Sequence, residues 1–236
     1  MRFDEPLLEG RLLRRYQRFL ADVDTADGVV TAHCPNTGSM RGCAEPGMRV
    51  WLSRARNPGR KLAWTWELVE VAPGVPVGVH TGRANRLVRE AIAAGLVGEL
   101  DGYDSLRGEV RYGAKSRIDL LLEAAGRPPC FVEVKNVTAA VDGSIGYFPD
   151  AVTERGRRHL EEMSAEVATG RRAVLVFCVQ RADVDEVRPA DHIDPAYGRQ
   201  LRAALACGVE VLALGADVSP REITLVRRLA VGLPVG

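Results

Sequence analysis

The sequence predicts a small N-terminal β-barrel followed by an α/β domain with a mixed sheet. Up to about residue 80, short runs of β-branched, aromatic and aliphatic residues are each bounded by glycine or proline, which is typical of a small barrel such as the OB-fold. From residue 81 the pattern becomes helical, and strands then alternate with helices, as in an α/β sheet. The run at 173–179 is apolar throughout, as a central buried strand should be. We therefore divide the chain into domains 1–80 and 81–236.

The composition indicates an ordinary globular protein. The 236 residues are 46% hydrophobic and 27% charged, and the formal net charge is only +1. Any surface for nucleic acid must therefore come from segregated charge. The N-terminus does not resemble a signal peptide, and no apolar run reaches membrane-spanning length. We expect a cytoplasmic protein with no membrane partner.

The first long segment, residues 10–23, is compatible with either a helix or strands. Its arginines fall at helical spacing, but the segment ends in a turn at 24–28 that is followed by a β-branched run. This order is typical of a β-hairpin. We favour strands. The basic side chains, beside aromatic ones, are candidate nucleic-acid contacts: Arg11, Arg14, Arg15 and Arg18. The alternative is that these arginines are merely solvated and that the tryptophans of this domain fill the barrel core.

The segment 81–95 predicts the first helix. Leu87, Ala91 and Ala94 form an apolar stripe, and Gly95 is a suitable C-terminal stop.

The segment 115–135 predicts a β-hairpin, because two aliphatic runs flank a Gly/Pro-rich break. Glu133 and Lys135 are two residues apart and share one face of their strand. If the loop closes with Asp119 opposite Glu133, two carboxylates and an ammonium converge. A slip of one residue would turn Asp119 to the opposite face.

Such a cluster suits the cleavage of phosphodiesters. Two carboxylates can hold Mg²⁺ or Mn²⁺, which binds the phosphate and polarises water, while a lysine stabilises the developing charge. The arrangement of Asp119, Glu133 and Lys135 resembles the PD-(D/E)xK nuclease superfamily, with Ile118 in place of the proline. The carbonyl of Val134 is a candidate third ligand.

That resemblance implies one further ligand. Some nucleases of the superfamily recruit a glutamate from the first helix as an extra metal ligand, and Glu90 is the candidate here. The alternative is that Glu90 is an exposed helical residue.

The stretch after the hairpin predicts a second helix, with Asp150 as its N-cap. Arg155, Arg158 and His159 lie at i, i+3 and i+4 and predict a cationic face suited to phosphate. The alternative is a solvated face paired with neighbouring glutamates. Gln180 follows the apolar strand, where the edge of an active site would lie.

The whole chain resembles the sugar fermentation stimulation proteins. The matching blocks are residues 10–20, 33–40, 116–119, 133–138 and 148–156. The resemblance implies an OB-like first domain, a PD-(D/E)xK-like second domain, DNA binding and a regulatory association with sugar metabolism. In the 33–40 block, Asn36, Thr37 and Ser39 are expected to hold a turn or to face the cleft.

Three functions remain open from the sequence. The first is a DNA-binding protein, largely independent of base sequence, with a metal-dependent deoxyribonuclease site. The second is a DNA-binding regulator of sugar metabolism genes that keeps the nuclease fold without turnover. The third is a metabolic protein that binds a small phosphorylated ligand. The presence together of Asp119, Glu133 and Lys135 favours the first.

Overall fold

The N-terminal part of the molecule is a closed barrel. The computed structural model describes residues 1–57, 59–112, 116–142 and 144–233. The first strands are Leu8–Tyr16 (β1), Leu20–Thr25 (β2), Gly28–His33 (β3), Arg49–Arg54 (β4), Trp64–Ala72 (β5) and Val75–Gly78 (β6). They follow the order β3-β2-β1-β4-β5-β6, and an extra pairing of β3 with β5 closes five of them into a barrel. The prediction of strands over residues 10–23 is confirmed.

The barrel forms because its strands place alternate side chains inside. Leu12 of β1 is fully buried while its neighbours Arg11 and Leu13 are exposed, as a half-buried strand requires. A bulge between Leu12 and Arg14 shifts the β1–β2 register. Trp66 is fully buried in the barrel core, and its indole N–H donates to the Leu68 carbonyl.

The second sheet contains nine strands. They are Ser105–Tyr112 (β7), Ser116–Glu123 (β8), Cys130–Val137 (β9), Ala140–Asp142 (β10), Ile145–Phe148 (β11), Arg172–Val179 (β12), Glu186–Pro189 (β13), Glu210–Val218 (β14) and Ile223–Val231 (β15). Their order is β10-β11-β13-β15-β14-β12-β9-β8-β7. Strand β12 runs parallel to both β9 and β14, whereas β8 is antiparallel to its neighbours, so the sheet is mixed.

Helices cover both faces of this sheet. Helix α1, Ala84–Ala93, packs on the face that carries Val132 and Val134 of β9. Helices α2, Glu154–Ala168, and α3, Pro195–Ala206, pack on the other face. Short 3-10 turns occupy Thr81–Arg83 and Gly98–Leu100. The predicted fold class, a small barrel followed by a mixed sheet with helices, is confirmed. No helix in the described residues has both the length and the apolar character to cross a membrane.

Helix α2 begins later than the sequence predicts. Thr153, not Asp150, is the N-cap, and its hydroxyl accepts the hydrogen bond of the Gly156 N–H at 3.0 Å. Asp150 instead accepts from the Ser39 hydroxyl and the Met40 N–H, each at 3.4 Å. The prediction was wrong because both residues are good N-caps and only the tertiary contact decides between them.

The two halves of the chain are connected by more than the link at residues 79–80. The Met1 ammonium donates to the Ile223 carbonyl at 2.7 Å, so the first residues of the predicted domain 1–80 lie against the second sheet. Gly78 N–H donates to the Gln180 carbonyl at 2.8 Å, at the junction of β6 and β12. The division near residue 80 stays a prediction.

Candidate functional site

The central feature of the site is a break in the pairing of β8. The β8–β9 pairs run from Leu122↔Cys130 to Leu120↔Val132 and stop there. Continued by one residue, this register sets Asp119 opposite Glu133, the pairing on which the predicted cluster depends. The β7–β8 pairs also omit Asp119, whose opposite position is Glu109, a residue with φ of +56°. Asp119 therefore sits where β8 is released from both neighbours.

The carboxylate of Asp119 is held between β8, β9 and α1. One oxygen accepts from the Val134 N–H and the other from the Asn85 side-chain amide, both at 2.7 Å. Burial and the nearby charge of Glu133 raise the pKa of Asp119 above its usual range. The hydrogen bonds from Val134 and Asn85 lower this pKa, but by less. Asp119 is thus a largely desolvated carboxyl near a second carboxylate, a setting in which a cation would be stabilising.

Glu133 is the most buried member of the site, at 2% exposed. Its Oε1 accepts from the Lys135 ammonium at 2.5 Å and also contacts the ring Nδ1 of His159. Burial raises the pKa of Glu133, but the hydrogen bond to His159 and the charge of Lys135 outweigh it and hold this pKa below its usual range. The other oxygen, Oε2, is buried and has no hydrogen-bond partner within the described chain.

This unpartnered oxygen fits a metal. Buried carboxylate oxygens are rarely left without a partner, so Oε2 is an available ligand atom. No group of three His, Cys, Asp or Glu side chains in the described residues is arranged to hold an ion. Mg²⁺ does not require such a group, because it is commonly bound by one or two carboxylates and keeps several waters. Asp119 and Glu133, with a backbone oxygen such as that of Val134, fit such a site.

The structure does not bring Glu90 to this cluster. One of its oxygens pairs with the Met1 ammonium at 2.8 Å and the other with Arg86 at 2.7 Å. Asn85 is the residue of α1 that reaches Asp119. The proposed role of Glu90 as an extra ligand is therefore not supported, because both of its oxygens already have cationic partners.

The predicted cationic face of α2 is divided between the surface and the interior. Arg155 and Arg158 are exposed, and neither forms an ion pair within the described residues. His159 is 3% exposed and turned inward against Glu133 and Lys135. His159 therefore belongs to the carboxylate site and not to a solvent-facing phosphate surface.

The barrel arginines also differ in their roles. Arg15 links the β1–β2 turn to the 33–40 segment. Its Nη2 donates to the carbonyls of Arg18, Asn36 and Gly38 at 2.8, 2.8 and 2.9 Å. Arg14 pairs with Asp22 at 2.8 Å.

The remaining two barrel arginines are more accessible. Arg11 is exposed and donates to the Gly47 carbonyl at 3.1 Å. The guanidinium of Arg18 is exposed and forms no ion pair in the described chain.

The 33–40 segment is a turn packed against the second half of the chain. The Asn36 side chain accepts from the Gly38 N–H at 2.9 Å, which closes the turn. Gly38 lies so close to Asp150 that an added Cβ would stand 2.2 Å from its carboxylate. Ser39 donates to the same carboxylate, while Thr37 is exposed. Asn36 thus holds the turn, and its side-chain amide also donates to the Thr138 hydroxyl at 3.5 Å, just beyond the end of β9.

Gln180 is buried at the junction of the two sheets and not on an open edge. It is 0% exposed, and its side-chain amide donates to Asn136 at 2.5 Å and to the His80 carbonyl at 3.3 Å. Asn136 directly follows Lys135, so Gln180 connects the barrel to the strand that carries the site.

Comparison with known proteins relates the whole chain to one protein family. The family model described as the sugar fermentation stimulation protein RE domain matches residues 82–222, and the SfsA N-terminal OB domain model matches residues 13–79. The sugar fermentation stimulation protein homolog of Alkalilimnicola ehrlichii is 60% identical over 99% of this chain and 100% of its own length. That of Halorhodospira halophila is 63% identical over 91% of this chain and 90% of its own.

A solved structure has the same overall fold as this chain. The structure of Pyrococcus furiosus SfsA in complex with Ca²⁺ superposes with a TM-score of 0.89 at 29% identity, covering 98% of each chain. The barrel, the mixed sheet and the full-length similarity lead to one assignment. The chain belongs to the sugar fermentation stimulation protein family.

Proposed function

We propose that this chain is a DNA-binding protein with a divalent-metal-dependent phosphodiester-cleaving site at Asp119, Glu133 and Lys135. The observation that carries the proposal is the unpartnered, buried Oε2 of Glu133 beside the desolvated carboxyl of Asp119. A related protein from Pyrococcus furiosus has been solved with Ca²⁺, which, like Mg²⁺, takes oxygen ligands.

Each residue has a distinct role in this proposal. Asp119 and Glu133 would hold Mg²⁺ or Mn²⁺, which when bound supplies phosphate binding and an activated water. The ammonium of Lys135 is kept in place by Oε1 of Glu133 and offers positive charge to a phosphate undergoing cleavage. His159 contacts the same oxygen and so favours the orientation in which Oε2 is the free one.

Arg155 and Arg158 supply the binding of DNA in this proposal. They are exposed on the first turns of α2, and the next residue, His159, contacts the site. Arginine contacts to phosphate oxygens position a nucleic acid without reading its bases, so binding should be largely independent of sequence.

The test is a cleavage assay. The purified protein is incubated with plasmid, linear and single-stranded DNA in the presence of Mg²⁺, Mn²⁺, Ca²⁺ or a chelator. Cleavage that requires the metal and is lost in Asp119→Asn supports the proposal. Glu123→Gln is the matched control, because Glu123 lies on the same strand and is exposed in an ion pair with Arg107. Metal-independent cleavage, or loss in both variants, contradicts it.

A second candidate is a DNA-binding regulator of sugar metabolism genes without turnover. The observation that favours it is that Oε1 of Glu133 already has two basic partners, Lys135 and His159, which neutralise its charge without a metal. In that case DNA is bound equally well with metal or chelator, and no cleavage is seen under any condition.

A further inference from the structure

The tip of the β1–β2 hairpin presents an exposed aromatic ring. Phe19 is 48% exposed, and it follows Gln17 and Arg18, whose φ angles are +49° and +65°. Two successive positive φ angles suit a tight hairpin turn, but residues other than glycine, asparagine or aspartate adopt this left-handed region uncommonly. Such backbone outliers are concentrated at functional sites.

The backbone at the tip of the β1–β2 hairpin is held by hydrogen bonds, whereas the side chain of Phe19 is exposed. The Arg18 carbonyl accepts from Arg15 Nη2 at 2.8 Å, and the Phe19 carbonyl accepts from the Cys34 N–H at 2.8 Å. The same Arg15 atom binds the carbonyls of Asn36 and Gly38. The tip is thus held in one conformation by the 33–40 segment, and the ring of Phe19 is left facing outward.

Two exposed arginines lie on the same hairpin as Phe19, one of them the preceding residue. Arg14 is ion-paired with Asp22 and stacks on Tyr16 of the same hairpin, with its guanidinium carbon 4.7 Å from the ring centroid, so Arg18 is the arginine left to contact phosphate. The exposed guanidinium of Arg18 forms no ion pair in the part of the chain that the structure describes. An exposed aromatic ring beside arginines is the combination that binds single-stranded nucleic acid, since the ring stacks on a base and the arginines contact phosphates.

The hairpin tip is also connected to the candidate site. Arg15 binds the Gly38 carbonyl, Gly38 packs against Asp150, and Asp150 lies four residues before the first residue of α2, Glu154. A DNA strand bound at the hairpin tip could therefore continue toward Arg155 and Arg158.

We propose that Phe19 is a stacking platform for an unpaired nucleobase, so that the preferred ligand is single-stranded or locally unpaired DNA. This inference rests on the proposed function and specifies the form of the DNA. A base in a duplex is already stacked on both faces and offers Phe19 no free surface.

The experiment compares Phe19→Ala and Phe19→Trp with the wild type. Affinities for a fluorescent single-stranded oligonucleotide and for the duplex of the same sequence are measured by anisotropy, with chelator present to prevent cleavage. We expect Phe19→Ala to weaken single-strand binding by about 5- to 100-fold and to leave duplex binding unchanged. Phe19→Trp should retain the affinity, and its emission should be quenched by the single strand. Val29→Ala is the control, since Val29 is also an exposed apolar residue of the barrel, at 63%.

The outcomes separate the two proposals. If the wild type binds neither form of DNA, the proposed function and this inference both fail. If the wild type binds DNA but Phe19→Ala has no effect, or weakens both forms equally, only the stacking role is overturned.

Discussion

The carboxylate of Asp119 accepts the hydrogen bond of the Val134 N–H at 2.7 Å, directly beyond the last β8–β9 pair. The Asp119 side chain thus accepts from a backbone N–H of β9 at the point where the β8–β9 pairing ends. Because Val134 lies between Glu133 and Lys135, this bond ties Asp119 to the backbone that carries both. The Asp119 carboxylate is therefore fixed on the backbone from which the side chains of Glu133 and Lys135 project.

Lys135→Ala should separate metal binding from cleavage. Removal of the ammonium takes away charge that would stabilise the transition state, while Asp119 and Glu133 remain, so the variant should bind Mn²⁺ yet lose at least about 10²-fold in cleavage rate. Calorimetry with Mn²⁺ and a plasmid-nicking assay measure the two effects. Asp119→Asn should lose both. A Lys135→Ala protein that cleaves at the wild-type rate would exclude a chemical role for Lys135.

Arg155 and Arg158 should determine the salt dependence of duplex binding. Each phosphate contact contributes about −0.9 to the slope of log affinity against log salt, so removing both side chains should make the slope about 1.8 units less steep. Anisotropy titrations between low and moderate salt measure this. Arg188→Ala is the control, because Arg188 is ion-paired with Glu186 at 2.7 Å. An unchanged slope in the double variant would place the phosphate contacts elsewhere.

Gly38→Ala should destabilise the protein through Asp150. The added methyl would stand 2.2 Å from the Asp150 carboxylate, so we expect a loss of about 1–3 kcal/mol in the free energy of unfolding. In Gly38→Ala/Asp150→Ala the clash is absent, so the two changes should cost less together than the sum of their separate costs. Denaturant titrations measure all three variants. Gly98→Ala is the matched control, because the nearest atom there is 3.9 Å away. Strict additivity would contradict this account.

Only one of the five cysteines should react in the folded protein. Cys207 is exposed, whereas the other four are buried. Burial raises the pKa of Cys43 to about 11 and that of Cys130 to about 12, so little thiolate exists at neutral pH. Intact-mass measurement after alkylation should show one adduct on the native chain and five after denaturation. Cys207→Ser should reduce the native count to zero. A second native adduct would reveal local opening of the fold.

The features predicted well from the sequence are those set by local pattern. Alternation and turn residues indicate the β1–β2 hairpin despite the helical spacing of its arginines, and strand periodicity places Glu133 and Lys135 on one face. The register that brings Asp119 opposite Glu133 comes from the structure and is only one of the registers that the sequence allows. The burial of His159 was also detectable. It falls three residues after Gly156 and one before Leu160, which are also buried in α2, but its neighbours Arg155 and Arg158 indicate a surface role.

The features predicted poorly depend on contacts distant in the sequence. Nothing local distinguishes the bracing role of Arg15 from the exposure of Arg18, because the carbonyls that Arg15 binds belong partly to residues 36 and 38. The interpretation of Glu90 as a metal ligand is not supported for the same reason, since the Met1 ammonium that pairs with it is distant in the sequence. Phe19 carries no periodic signal in the sequence, because it is a single aromatic residue at a turn.

The close approach of Gly38 to Asp150 has a consequence for how this family can be dissected or recombined. A barrel taken from one relative can be joined to the α/β half of another only if the residues at both positions are transferred as a matched pair. A graft that brings a side chain to position 38 opposite an acid at 150 would push the 33–40 segment away from the residues that precede α2. In a chimaera built from this chain, the 33–40 segment and the residues before α2 should therefore be taken from the same parent.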